Sequence, residues 1–158
     1  MRVEQLMTKT VQSCRPGDSL EHAAQLMWSY DCGCLPVCAA DGVTPVVGVV
    51  TDRDICMSAL FQGKPLRDLR VGDAMAKQLV TCHPADGLAE AETAMRKAQI
   101  RRMPVVDEQN ALVGIVSLAD LAREADREQT APHPKVTEEE VADTLAAICV
   151  PRGEWATA

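Results

Sequence analysis

The sequence predicts an α+β protein, in the broad α/β class, built from two like halves of plan β-α-β-β-α. Three observations predict it. Segments of the first half recur, in order, in the second. Within each half the apolar spacing alternates between that of a helix and that of a strand. Only four of the 158 residues are aromatic (Trp28, Tyr30, Phe61 and Trp155), so the core has to be made from Val, Ile, Leu, Met and Ala.

The elements follow in chain order. An extended piece at 10–14, matched by 79–82, is ended by Pro16 and Pro84. Cys14-Arg15-Pro16-Gly17-Asp18 recurs as Cys82-His83-Pro84-Ala85-Asp86, an offset of 68. Asp18 and Asp86 stand where a helix N-cap belongs, and Asp18 with Glu21 makes a capping-box-like pair. Leu20, Ala23, Ala24 and Met27 then repeat at helical spacing, as do Leu88, Ala91, Met95 and Ala98. Two short strands come next, at 35–38 and 46–51 in one half and at 103–106 and 112–117 in the other. The second of each pair matches at an offset of 66, and the two-residue difference falls in the polar stretch 39–45, where a loop absorbs it. A second helix follows, from 52 to about 61 and from 118 to about 127. Residues 63–70 and 129–135 read as linkers, and Thr137-Glu138-Glu139-Glu140 is a capping box opening a last helix to about Cys149. The expected boundaries are 1–65, 66–128 and a tail, 129–158.

A half of roughly 60 residues buries little apolar surface alone. Val46-Val47-Gly48-Val49-Val50 and Leu112-Val113-Gly114-Ile115-Val116 are almost wholly apolar, as strands covered on both faces are. The expectation is an intramolecular pair related by a pseudo-two-fold, sheet against sheet with helices outside.

The net charge of −7 argues against general affinity for nucleic acid, which needs a positive surface. No apolar run reaches the roughly 18–20 residues of a membrane span, and residues 1–10 lack a signal-peptide core. The expectation is a cytoplasmic protein with neither nucleic acid nor membrane as partner. Disulfides are rare in that compartment, so the seven cysteines need their own reading.

Gly48-Val49-Val50-Thr51-Asp52-Arg53-Asp54 and Gly114-Ile115-Val116-Ser117-Leu118-Ala119-Asp120 carry the same pattern: a glycine, a strand, then Ser/Thr with Asp three residues later. Leu35-Pro36-Val37 and Met103-Pro104-Val105 precede them, and Met7-Thr8 and the matching Met75-Ala76 open the halves. The set resembles the signature of CBS domains, over about residues 3–125. The whole is similar to a tandem CBS pair, and with the Thr-Asp-Arg-Asp-Ile run and the ending at 146–151 it is most similar to small stand-alone bacterial CBS-pair proteins of the hypoxic-response type.

Taken alone, Ser/Thr-x-x-Asp is also a helix cap. The resemblance adds a role: Asp54 and Asp120 would accept hydrogen bonds from ribose hydroxyls, with Thr51 and Ser117 beside them. Arg53, Arg101 and Arg102 would reach phosphate, which a guanidinium fork suits, although surface arginines are commonly just solvated. The copies differ here, with Gly33 and Cys34 where the second has Arg101 and Arg102, and Ala119 where the first has Arg53, so the two sites are not equivalent. Thr10, Val11, Gln78 and Leu79 would wall the adenine ring, or serve as core. The glycine would let a ligand near the backbone.

The resemblance therefore implies a non-catalytic sensor. It would bind AMP, ADP, ATP or S-adenosylmethionine between its repeats, need no cofactor, form a homodimer, and signal, as in a stress response, to a separate effector protein. The alternative is a ligand-free or redox-responsive interaction module. No nucleophile–base constellation supports an enzyme. Cys32, Cys34 and Cys38 lack a fourth ligand for a structural zinc site, and the histidines are scattered. Cysteines can be small buried hydrophobes, or Cys14 and Cys38, each ending a strand, could join in a disulfide if their Cα atoms lie close.

Overall fold

The computed structural model describes residues 1–39 and 44–151. The loop expected at 39–45 lies outside the described residues over 40–43, as does the end of the tail from 152. In the first repeat, α1 (Leu20–Ser29), β1 (Cys34–Cys38), β2 (Val46–Thr51) and α2 (Asp52–Gln62) follow one another. A short α3 (Val71–Ala74) lies in the link. The second repeat gives α4 (Leu88–Ala98), β3 (Arg102–Val106), β4 (Leu112–Ser117) and α5 (Leu118–Glu128), and α6 (Glu138–Ile148) is the last element among the described residues.

β1 and β2 pair antiparallel, Cys34 with Thr51 through Cys38 with Val46, and β3 and β4 form the second two-stranded sheet. The extended pieces expected at 10–14 and 79–82 shrink to single bridges. Cys14 lies parallel to Val37, and Cys82 lies parallel to Val105. Pro16 and Pro84 follow two residues on, too soon for a longer ladder.

The helix starts also need correcting. Asp18 and Asp86 are not N-caps; those are Ser19, whose hydroxyl accepts from the His22 amide, and Gly87, whose amide donates to Glu90. Each Asp instead closes the turn before the helix, its carboxylate accepting the amide three residues back (Arg15 at 2.8 Å, His83 at 2.7 Å). The recurring Cys-x-Pro-x-Asp is thus a turn motif that delivers the chain to the cap. α2 and α5 begin as the sequence indicates, capped by Thr51 and Ser117, and α6 is capped by Thr137.

The chain divides into two compact units. One holds Thr10–Leu79 with Val106–Val113; the other holds Met1–Lys9, Val80–Val105 and Gly114–Ala158. In the first, Leu20, Ala23, Met27, Leu35, Val37, Val50, Ile55, Leu69 and Val71 form one buried cluster, joined by Cys14. No aromatic side chain belongs to it, which matches the composition. In the second, Leu88, Met95, Met103, Val105, Val116 and Leu121 are buried. There α6 packs on both α4 and α5. The Arg96 guanidinium donates to the buried Thr144 hydroxyl at 2.8 Å. Glu92, also buried, has its carboxyl pushed up by loss of solvent and by nearby Glu140, against the pull of Arg96.

The first repeat carries large apolar side chains in solvent. Trp28 and Phe61 are 90% and 78% exposed, and Tyr30 and Leu60 are exposed beside them in sequence.

Candidate functional site

The site is built on the junction where the last strand of each repeat turns into its second helix. At β2–α2, Thr51 has extended backbone and α2 starts at once. The Thr51 hydroxyl accepts the Asp54 amide at 3.2 Å. In return Asp54 Oδ2 accepts both the Thr51 amide at 2.9 Å and the Thr51 hydroxyl at 2.7 Å. At β4–α5 the pattern is the same: Asp120 Oδ2 accepts the Ser117 amide at 2.8 Å and its hydroxyl at 2.6 Å, and the Asp120 amide donates back at 3.2 Å. A carboxylate oxygen has two lone pairs. The cap therefore uses up Oδ2 in both repeats and leaves Oδ1 as the oxygen for any further donor.

The two Oδ1 atoms have different company. Asp54 is half-buried, and its Oδ1 accepts no hydrogen bond among the described residues. Asp120 is buried, and its Oδ1 accepts from the Arg123 guanidinium one turn along α5. Two donors and an opposite charge therefore hold the second carboxylate, and only the cap holds the first.

The glycines of the motif do something other than expected. A Cβ on Gly48 would sit 2.8 Å from the Ala76 carbonyl oxygen and 2.9 Å from Met75 Sδ; one on Gly114 would sit 2.6 Å from Met7 Sδ and 3.1 Å from the Thr8 carbonyl oxygen. The chain's own Met-Thr and Met-Ala segments make the close approach, not a ligand. They add to the sheets through the paired amides of Val49 with Ala76 and of Thr8 with Ile115. The sequence had marked both partners as repeat features without linking them, because 7–8 and 114 are far apart in the chain.

The expected cations are solvent-facing. Arg53, in the first turn of α2, is exposed. Arg101 is exposed, and its guanidinium lies 3.9 Å from Cys149 Sγ. Its carbonyl accepts the amide of Leu118, the first residue of α5, at 2.9 Å, which sets Arg101 beside the Ser117–Asp120 junction. The equivalent carbonyl in the first repeat is that of Gly33, which accepts from Asp52 at 3.3 Å. Each junction thus has an arginine, drawn from a different place in its repeat. Arg102 opens β3 and is exposed. Of the four residues expected to wall an adenine, Thr10 and Gln78 are exposed and Val11 is half-buried. Leu79 packs on a small cluster of Cys38, Val46 and Val106.

Cys14 and Cys38 are thiols in this structure. Their backbones meet, with the Cys38 amide donating to the Cys14 carbonyl at 2.9 Å. Burial pushes the Cys14 thiol up to about 12, helped by the charge of Asp18, and burial does the same to Cys82 beside Asp86. Among the described residues no three His, Cys, Asp or Glu side chains are grouped to hold a metal ion. No helix among them is long and apolar enough to cross a membrane.

Comparison with known proteins bears on the same segments. The family model described as CBS domain matches twice, at residues 3–60 and 71–127. CBS domain-containing protein YhcV of Bacillus subtilis is 40% identical over 120 residues, 76% of this chain and 82% of that protein. Hypoxic response protein 1 of Mycobacterium tuberculosis is 31% identical over 134 residues, 85% of this chain and 84% of its own. A solved structure of Hypoxic Response Protein I, with two coordinated zinc ions, aligns at a TM-score of 0.69 and 30% identity over 78% of this chain and 98% of that one. The CBS domain pair of MJ0100, solved with 5′-methylthioadenosine and S-adenosyl-L-methionine, aligns at a TM-score of 0.67 and 27% identity, covering 78% of this chain and 94% of that one.

Proposed function

This chain belongs to the CBS domain family, and on that premise we propose that it is a non-catalytic regulatory module that binds an adenosine-containing ligand by its ribose. The candidates are AMP, ADP, ATP and S-adenosylmethionine. The observation that carries the reading is the Asp54 carboxylate. The cap fixes it rigidly at a helix start and saturates one oxygen, while the other oxygen keeps both lone pairs. Two vicinal hydroxyls donating to one such oxygen describe a cis-diol. The exposed Arg53 supplies a positive charge for a phosphate or a carboxylate nearby, while the amides of Asp52, Arg53 and Asp54 are already taken by Gly33, Asp52 and Thr51. That the MJ0100 pair was solved with two adenosine derivatives supports the same ligand class.

Regulation follows by population shift: the ligand favours the arrangement it binds best and so changes what an effector protein meets. The module acts as a cytoplasmic homodimer, and the exposed Trp28, Tyr30, Leu60 and Phe61 support an association surface. A redox-responsive module is the competing reading. The burial of Cys14 weighs against it, because a thiol held protonated is a poor nucleophile. A thermal-shift screen of the four candidates tests the proposal, since a ligand that binds only the folded chain raises its Tm. At least one should do so by several degrees. No shift with any of them, together with a free-thiol count that changes on reduction, would favour the competing reading.

A further inference from the structure

We propose that the two diol sites are unequal by construction: Arg123 holds the Asp120 carboxylate closed, and the first repeat, with Met57 at the matching position, binds the ligand alone. The inference rests on the ribose reading above and assigns it to one site.

The comparison is internal to the chain. The two junctions share their cap geometry bond for bond, and in both the cap consumes Oδ2. The difference lies one turn into each helix. At the offset of 66 that aligns the two motifs, Arg123 falls on Met57. Arg123 donates to Asp120 Oδ1, the one oxygen the cap leaves over. A thioether carries no proton to donate, so Met57 leaves Asp54 Oδ1 alone. Asp120 is also the more buried of the two, at 6% exposure.

A diol entering the second site must share Oδ1 with the guanidinium or displace it. Sharing leaves one lone pair for two hydroxyls. Displacement gives up a charge-assisted bond to a buried carboxylate. Arg123 itself is 71% exposed on its side chain, and its ion pair among the described residues is with Asp120. The latch is therefore removable by a single substitution, and its counterpart can be installed in the first repeat.

The experiment is isothermal titration calorimetry of the full chain with AMP, ATP and S-adenosylmethionine, each in turn. The unaltered chain should take up one equivalent of the ligand that binds. Arg123→Met should add a second equivalent without weakening the first, and Met57→Arg should weaken the first at least tenfold. Circular dichroism melts of both variants check that each is folded at the titration temperature. Two equal sites in the unaltered chain, or one site in Arg123→Met, or an unmoved affinity in Met57→Arg, overturns the latch and leaves the ribose reading standing. Absence of binding by all three ligands overturns the ribose reading, and the latch with it.

Discussion

Asp18 and Asp54 are both aspartates near a helix start, and their neighbours decide what each does. Asp18 turns back onto the amide of Arg15 and closes a turn; Asp54 turns back onto Thr51 and keeps one oxygen in reserve. The sequence made both look like caps, because Asp suits a cap and a turn closure equally well. What it could not show was which oxygen the cap consumes, or that Arg123 reaches Asp120. Those depend on side-chain rotamers, which spacing alone leaves open. The cysteines were legible in kind, as small buried hydrophobes at Cys14, Cys34, Cys38 and Cys82. A prediction belongs here. With thiols pushed up to about 12, Cys14 and Cys82 should resist alkylation at pH 8 while exposed Cys56 and Cys149 react. Mass spectrometry of the alkylated native protein reads this directly, and labelling of Cys14 ahead of Cys56 would contradict it. The same shift has a sign for stability. The unfolded thiols ionise near 9 and the folded ones only near 12, so their contribution is intact below pH 9 and is lost as the pH climbs through that interval.

At the scale of elements, the helices were the readable part. α2, α5 and α6 begin at Ser/Thr caps that bind their third residue reciprocally, a signal contained within four residues. The first strand of each repeat was not readable. An extended run ahead of a proline looks like a strand, but only Cys14 and Cys82 find a partner. The motif glycines were visible, and their purpose was not, because Met75-Ala76 and Met7-Thr8 arrive from elsewhere in the chain. Gly48→Ala should therefore cost about 1–3 kcal/mol as an overpacked contact against a backbone carbonyl. Gly114→Ala should cost less, because its nearest obstacle is the flexible end of Met7. Denaturant melts of the two variants give the order, and equal or reversed losses would refute this account of the glycines. The seam under α6 makes a third case. Glu92 is buried with its carboxyl pushed up, so its ionised form opposes folding above the ordinary carboxylate range. Glu92→Gln should raise the Tm at pH 7, and the gain should fade as the pH is lowered through that range. A lower Tm at pH 7 would mean that the Arg96 pair at 3.6 Å outweighs the burial.

At the scale of the molecule, the duplication was the strongest signal in the chain, since two ordered copies of one motif set are hard to arrive at by chance. It could not reveal how the segments between motifs are shared out. Residues 1–9 group with the second repeat, through Val3 on Asp86 and Thr8 on Ile115, and residues 66–79 group with the first. Reading repeats along the chain assigns each opening segment to the motif that follows it, and long-range backbone pairing is not written in local spacing. Duplication also conceals divergence: Met57 against Arg123 is one aligned position among many, and its meaning emerges only beside Asp120. The central claim is that a ribose diol is held by the open oxygen of Asp54. Its most direct test is calorimetric titration of the full chain and of Asp54→Asn with the adenosine ligand that gives the largest thermal shift. The account predicts a loss of about 1.5–3 kcal/mol in binding, the usual worth of a hydrogen bond to a charged group, with the variant still folded. An affinity unchanged by Asp54→Asn would contradict it.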